Sequence, residues 1–281
     1  MKDRVEVALI QMEVAWLDPG SNRSRMLDLI ERAAAGRSLD LVVFPELCNT
    51  GYVKGRDKEF AARYVEAAET VPGPTTQALG RAAREHGLHI VAGLGHLHPT
   101  IPATLYNSAV LIDSGGTIRR VQPKMHIPSE ENHYFCAGNS MEVVATELGN
   151  IGLLVCYDTW FPEASRVLAL KGAELVCAVF NAPKFKRHVP RRLEYAAAMR
   201  AIENRNFFLL CNRVGVQEEA VFFGHSVVAG PTGELIGESL TDQEEIVYAT
   251  LERSMLIRER GFSPVFRERR PDLYAPVVER L

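Results

Sequence analysis

Apolar residues follow two rhythms along this chain. Short β-rich runs recur at residues 5–11, 41–44, 89–93, 107–113, 141–146, 151–155, 174–180, 207–212, 225–229 and 246–251. Between several of them the spacing becomes that of an amphipathic helix. Residues 22–35 carry Met26, Leu27, Leu29, Ile30 and Ala33 behind the cap-like Ser21, which is the pattern of one buried helical face. Residues 75–86, 161–171 and 191–205 behave likewise, and Gly36, Gly87 and Gly172 stand where helix ends are expected, because a left-handed terminal residue costs glycine little. Alternating strands and helices predict an α/β fold. The turn formers Ser114-Gly115-Gly116 and Pro231-Thr232-Gly233 add hairpins, so the sheets should be mixed, in two or more layers. No linker rich in Pro, Gly or Ser and no charge block divides residues 1–281, which predicts one domain.

Three of the strand-like runs end in ionisable or nucleophilic residues. Ile151-Gly152-Leu153-Leu154-Val155 runs into Cys156, and Phe161-Pro162-Glu163 then opens a helix, with proline suited to the first turn and the carboxylate to the positive end of the helix dipole. Leu41-Val42-Val43-Phe44 ends in Pro45 and Glu46, and residues 117–122 end in Pro123 and Lys124. A proline stops the sheet ladder, so the residue after it projects from the strand end, where open α/β sheets place ligand crevices. A cysteine nucleophile needs a base for its proton and a nearby positive charge to favour thiolate. Glu46 can be the base. Lys124 can supply the charge and later stabilise an oxyanion. His126 and His133 also precede Cys156 and are the alternative bases. Taken singly, Cys156 would be a small buried hydrophobe and the two charged residues surface groups; three strand ends of one design argue for a site.

Composition narrows the classes. The chain of 281 residues is 47% hydrophobic and 24% charged, with 32 basic against 35 acidic residues and a net charge of −3. That is an ordinary globular profile, with no drive toward nucleic acid or anionic membranes. The start Met1-Lys2-Asp3-Arg4 is too polar for a signal-peptide core, and no apolar run approaches the ~18 residues of a membrane span. Cys48, Cys136, Cys156, Cys177 and Cys211 form no CxxC pair, which suits reduced thiols in the cytoplasm. His96-Leu97-His98 would share a strand face without a third ligand signalled, and Gly93-Leu94-Gly95 lacks the third glycine of a dinucleotide fingerprint. No metal, nucleotide or flavin is therefore expected. The basic stretch 184–188 reads as a solvated loop or as a contact for a substrate carboxylate, and Arg267-Glu268-Arg269-Arg270 alternates sign as surface or interface segments do.

Phe44-Pro45-Glu46 with Gly51-Tyr52, Lys124-Met125-His126-Ile127-Pro128, and Cys156-Tyr157-Asp158 with Phe161-Pro162-Glu163 closely resemble the Glu, Lys and Cys motifs of the nitrilase superfamily, the carbon–nitrogen hydrolases. The likeness continues through Glu131 ahead of Tyr134-Phe135, Arg200-Ala201-Ile202-Glu203-Asn204, Cys211-Asn212-Arg213-Val214-Gly215, Gly224-His225-Ser226, Gly230-Pro231-Thr232-Gly233 and Arg269-Arg270-Pro271-Asp272-Leu273-Tyr274. It covers nearly the whole chain with ordered, widely spaced motifs.

The resemblance implies a four-layer αββα sandwich with two mixed β-sheets. It implies hydrolysis of a linear, non-peptide C–N bond in a small amide, through a thioester at Cys156, with release of ammonia. Lys124 and the backbone N–H of Tyr157 would form the oxyanion site, and Glu131 would be the family's second glutamate, orienting Lys124, substrate or water. Tyr52, Tyr157, Trp160, Phe161 and Asn181 are the expected substrate-facing residues. The segment after Cys156 resembles the amidase and N-carbamoyl amidase branches more than true nitrilases, which commonly show Trp-Glu-Asn there. Trp160 stands where ω-amidases of dicarboxylate monoamides tend to carry arginine, and the paired arginines of N-carbamoyl-D-amino-acid hydrolases are absent. A substrate less dependent on a carboxylate at that spot is expected. N-carbamoyl amines or amino acids, nitriles and, outside enzymes, an inactive sandwich scaffold are the alternatives. A homodimer or dimer-based oligomer is also implied, joined through the helices at 161–171 and 191–205, where Leu168, Leu170, Ala196, Ala197 and Met199 supply apolar content, with the tail 262–281 docking on the partner.

Overall fold

Strands buried on both faces need apolar residues on both faces, and the central strands of this chain are of that kind. The structure is a computed structural model and describes residues 1–53, 55, 57–184, 189 and 191–279. In chain order the elements are β1 (Arg4–Gln11), α1 (Pro19–Ala34), β2 (Leu41–Val43), α2 (Lys58–Ala67), α3 (Pro74–His86), β3 (His89–Leu97), β4 (Leu105–Ile112), β5 (Ile118–Pro123), β6 (Val143–Thr146), β7 (Gly149–Val155), α4 (Pro162–Leu170), β8 (Leu175–Phe180), α5 (Arg192–Asn204), β9 (Phe207–Asn212), β10 (Val214–Gln217), β11 (Ala220–Phe223), β12 (Val227–Ala229), β13 (Leu235–Glu238), β14 (Glu245–Glu252), α6 (Arg253–Phe262) and α7 (Ala275–Val278).

Two six-stranded sheets result, ordered β14-β1-β2-β3-β4-β5 and β13-β12-β9-β8-β7-β6. Each is parallel at its centre, β1–β2–β3 in one and β7–β8–β9 in the other, and antiparallel outside it. The two turn-forming triplets do join hairpins, β4–β5 and β12–β13. Alternation along each strand divides the core. Val5, Val7 and Leu9 of β1 meet Ile151, Leu153 and Val155 of β7 between the sheets. Ala8 and Ile10 face Met26, Leu29 and Ile30 of α1, while Leu154 faces Ala164 and Leu168 of α4 and Ala197 of α5. Helices outside two facing sheets make the four-layer αββα sandwich.

Several boundaries differ from the sequence reading. Helix α1 begins before Ser21, because Asp18 is its cap: its carboxylate accepts the Ser21 backbone N–H at 2.9 Å, and Pro19 sits in the first turn. Helix α2, not anticipated, buries Phe60, Tyr64 and Ala67 at helical spacing, whereas α6 carries too few apolar positions to show a periodic face and buries only Leu256. Of the residues proposed as a sticky outer face, Leu168, Ala196 and Ala197 are buried against their own sheet, leaving Leu170 and Met199 outward, joined by Tyr195. The tail runs past α4, where Tyr274, Val277 and Val278 line a groove with Arg166 and Leu170. Among the described residues no helix is long and apolar enough to cross a membrane.

Candidate active site

The carboxyl ends of the parallel strands of both sheets converge at one edge. Beyond β2, the chain passes Phe44 and Pro45 to Glu46, which is fully buried. Its backbone N–H reaches across to the carbonyl of Phe180 at the end of β8, 3.1 Å away. Gly93 in β3 makes room for this segment: a Cβ there would lie 2.4 Å from Glu46 Cα and 2.7 Å from the Pro45 carbonyl oxygen. The Gly-X-Gly stretch that fails as a nucleotide motif is thus explained by close backbone approach.

Lys124 follows β5 and is also fully buried. Its Nζ donates to Glu46 Oε1 at 2.8 Å and to both oxygens of Glu131 at 2.8 Å. Asn107 of β4 donates to Glu46 Oε1 at 2.7 Å, and the Tyr52 hydroxyl donates to Glu131 Oε1 at 2.8 Å. Glu46 Oε2 has no hydrogen-bond partner among the described residues. Tyr52 is itself held at both backbone polar groups by the side chain of Gln217, at 2.9 Å each. Gln217 in turn accepts from the buried guanidinium of Arg213 at 3.2 Å.

Cys156 lies directly after β7, on the first residue of a 3₁₀ turn that precedes α4. Its φ of +41° is left-handed, a conformation costly for a residue with a Cβ and kept only where surroundings hold it. Asp158 is the holder. Its buried carboxylate accepts the backbone N–H of Val155 at 3.2 Å and of His126 at 2.9 Å, and the His126 ring Nδ1–H at 2.8 Å. One side chain therefore ties the Cys156 turn to the segment that follows Lys124.

A cavity of about 390 Å³ opens before Cys156, and Tyr52, Glu131, Tyr157, Trp160, Asn181 and Arg192 are among its walls. Of the expected substrate-facing residues, Phe161 stands apart. Its ring stacks on His126, centroids 3.7 Å apart, and it caps α4 instead of lining the cavity. Neither His126 nor His133, the alternative bases, lines the cavity; His126 is engaged by Asp158 and Phe161. His96 and His98 both stack on Tyr106, and no group of metal-ligating side chains occurs among the described residues. Of the basic stretch 184–188, only Lys184 lies within the described residues, and it pairs with Asp242. Asn107, Asp158, Gln217 and Arg192 were not anticipated. The signal for Asn107 was an amide inside an apolar strand; for the other three, partnership appears only in three dimensions.

Electrostatics sets the resting state. Burial pushes the Cys156 thiol well above the ordinary cysteine range, and the Glu46 charge adds to this; Lys124 and the Asn181 backbone N–H oppose without prevailing. The thiol is therefore protonated at neutral pH. Lys124 acts in favour of the thiolate, but it also pairs with two carboxylates and does not outweigh burial. Burial likewise raises the Glu46 carboxyl against the pull of Lys124. For Lys124 burial works downward, but Glu46 and Glu131 outweigh it and keep the ammonium charged above its ordinary range. Burial and then Glu131 raise Tyr52, so its hydroxyl stays a donor.

A thiol, a buried carboxylate and a buried ammonium at the strand ends of an αββα sandwich define a hydrolase of amide-like bonds. The carbon-nitrogen hydrolase family model matches residues 6–260, and the chain belongs to that family. It is similar to a nitrilase of Pyrococcus abyssi, 32% identical over 275 residues that cover 96% of this chain and 99% of the relative. It is similar in structure to a carbon-nitrogen hydrolase from Helicobacter pylori G27, with a TM-score of 0.88, 27% identity and 99% of each chain covered. A further neighbour is a glutamate-to-glutamine variant of the amidase from Nesterenkonia sp. AN1, showing covalent addition of the acetamide moiety of fluoroacetamide at its active-site cysteine; it superposes with a TM-score of 0.80 at 26% identity over 98% of each chain. The chain is accordingly an enzyme, and the reading as an inactive scaffold falls away.

Proposed function

We propose that this enzyme hydrolyses a small amide to a carboxylic acid and ammonia through a thioester on Cys156. The observation that carries the reading is the buried Glu46–Lys124–Glu131 network behind the cavity wall that Glu131 and Cys156 share, with Glu46 Oε2 left unpartnered and its charge acting on the thiol. Because Cys156 rests protonated, its proton leaves during attack and not before. Sγ attacks the carbonyl carbon as Glu46 takes the proton, and Lys124 with the backbone N–H of Tyr157 steadies the oxyanion. Glu46 passes the proton to the leaving nitrogen, the C–N bond breaks and ammonia departs. Water then attacks the thioester with Glu46 as base, releasing the acid and restoring the thiol. Glu131 and Tyr52 keep the Lys124 ammonium directed. The chemistry needs no metal or organic cofactor.

Ammonia release across a panel of amides, N-carbamoyl amines and nitriles tests this, with Cys156→Ala as control. Amides should be turned over and the control inert. Turnover confined to nitriles or to N-carbamoyl compounds would contradict the amide reading.

We propose also that two copies pair through α4 and α5, where Leu170 (45% exposed), Tyr195 (61%) and Met199 (54%) point outward. Sedimentation should show a dimer or a multiple of it. An active monomer at micromolar concentration would overturn that.

A further inference from the structure

Tyr52 joins the charged network to the β10–β11 hairpin. Its hydroxyl donates to Glu131 Oε1 at 2.8 Å, and Glu131 accepts the Lys124 ammonium on both oxygens. Its backbone is held from the other side. Gln217 Oε1 accepts the Tyr52 N–H, and Gln217 Nε2 donates to the Tyr52 carbonyl, each at 2.9 Å. Trp16 Nε1 donates to the same carbonyl at 2.9 Å. Gly51 has a φ of +78°, and a Cβ there would stand 2.9 Å from both Gln217 Oε1 and Trp16 Cδ1. The glycine is what lets the amide and the indole close on this stretch of backbone.

The Gln217 amide has one workable orientation. Arg213 Nη1 donates to Oε1 at 3.2 Å, so a flipped amide would set its NH₂ against two donors. Arg213 is fully buried, lies 4.2 Å from the centre of the Phe222 ring and gives its remaining hydrogen bonds to the carbonyls of Val14 and Val214. The hairpin is anchored beside both sheets: the Val214 N–H donates to the carbonyl of Met12 after β1, and the Lys184 N–H, beyond β8, donates to the carbonyl of Val221. Gln217 does not line the cavity before Cys156, so it reaches the chemistry only through Tyr52. A phenol hydroxyl sits at the far end of a rigid ring, and a small tilt of its backbone takes it out of hydrogen-bond range. From this geometry we propose that Gln217 is a positioning residue for the hydrolysis. With its amide fixed by Arg213, it holds Tyr52 so that the hydroxyl keeps Glu131, and through Glu131 the Lys124 ammonium, directed at the developing oxyanion. The inference rests on the reading of Lys124 as an oxyanion donor.

The test is a double-mutant cycle on ammonia release from the best amide of the panel. Tyr52→Phe removes a hydrogen bond to a charged carboxylate and should lower kcat about 10- to 100-fold with KM little altered. Gln217→Ala should lower kcat about 10-fold. Added to Tyr52→Phe it should cost nothing further, because the hydroxyl it positions is already gone. Gln217→Glu still accepts from Arg213 and from the Tyr52 N–H and loses only the contact to the Tyr52 carbonyl. It should recover most of what Gln217→Ala loses, leaving a fall of about threefold that also vanishes in the Tyr52→Phe background, and it carries the test if Gln217→Ala does not fold. Losses that multiply in the double variant, a fall confined to KM, or a kcat that Gln217→Glu does not move overturn the proposal.

Alkylation of Cys156 by iodoacetamide, mapped by peptide mass spectrometry, reads the same network without amide turnover. Lys124 favours the thiolate, so Tyr52→Phe and Gln217→Ala should each be alkylated more slowly than wild type, and the double variant no more slowly than Tyr52→Phe. If this pattern holds and no amide is turned over, the amidase reading fails and the positioning role stands. Unchanged rates, or a double variant slower than Tyr52→Phe, overturn the role whatever the enzyme hydrolyses.

Discussion

Both sheets set three parallel strands at their centre and end at the same edge, yet the groups they bring there differ in kind. The sheet built on β1–β3 delivers charge: Glu46 after β2, Asn107 from β4 and Lys124 after β5. The sheet built on β7–β9 delivers the thiol of Cys156 after β7 and the amide of Asn181 after β8. The charged half is bonded to itself except at Glu46 Oε2 and Asn107 Oδ1. The thiol half is held by backbone geometry, with Cys156 in a left-handed conformation and Asp158 bridging to the first sheet. Neither half is a site alone. Packing Val5, Val7 and Leu9 against Ile151, Leu153 and Val155 is what brings the Glu46 and Cys156 strand ends together, so in the proposed mechanism inter-sheet packing sets catalytic geometry as well as stability.

Substitutions can break this division at graded cost. Glu46→Gln removes the acceptor while keeping shape, and should lower kcat by ~10²–10⁴-fold, read as steady-state ammonia release with unchanged circular dichroism. Lys124→Ala should cost ~10²–10³-fold in kcat. It should also lower stability by about 3–5 kcal/mol, because two buried carboxylates lose their counter-charge, which denaturant titration measures. Asp158→Asn acts through position alone. An amide cannot accept from all the N–H groups that Asp158 serves, so kcat should fall about 10- to 100-fold with KM little altered; a change in KM only would show that the bridge does not set the turn. Cys177→Ser, in the apolar layer between the sheets, should leave turnover intact and cost about 1–3 kcal/mol of stability for a buried hydroxyl.

The pH profile sharpens the same contrast. In the proposed mechanism Glu46 must be ionised to accept a proton, and its carboxyl is raised by burial. Activity should therefore fall as pH drops through a limb displaced above the usual carboxylate range, and Glu46→Gln should abolish that limb. Lys124 is raised too, so no alkaline limb from its deprotonation is expected in the neutral range. An acid limb at an ordinary carboxylate position would argue against a buried base.

The strand ends were legible in the sequence because their signals are local. A strand-like run that ends at Pro45 or Pro123, or passes directly into Cys156, announces where the chain leaves the sheet. The same locality explains the central strands and α3, bounded by Pro74 and the left-handed Gly87. What stayed hidden depends on separate segments meeting. Asp158 contacts His126 across the seam between sheets, Gln217 reaches Tyr52 from the β10–β11 hairpin, and Arg192 meets Trp160 only because α5 starts above the cavity. No periodicity encodes such contacts. Phe161 shows the reverse error: adjacent in sequence to Trp160, it faces His126 because capping α4 turns it away.

The account turns on the thiol half supplying the nucleophile, and peptide mass spectrometry tests this most directly. The wild-type enzyme should be mixed with a small amide, quenched in acid during turnover and digested. An acyl group is expected on Cys156, absent when Cys156 is replaced by alanine. Acylation mapped to Cys48, Cys136, Cys177 or Cys211 instead, or full turnover by Cys156→Ala, would contradict it.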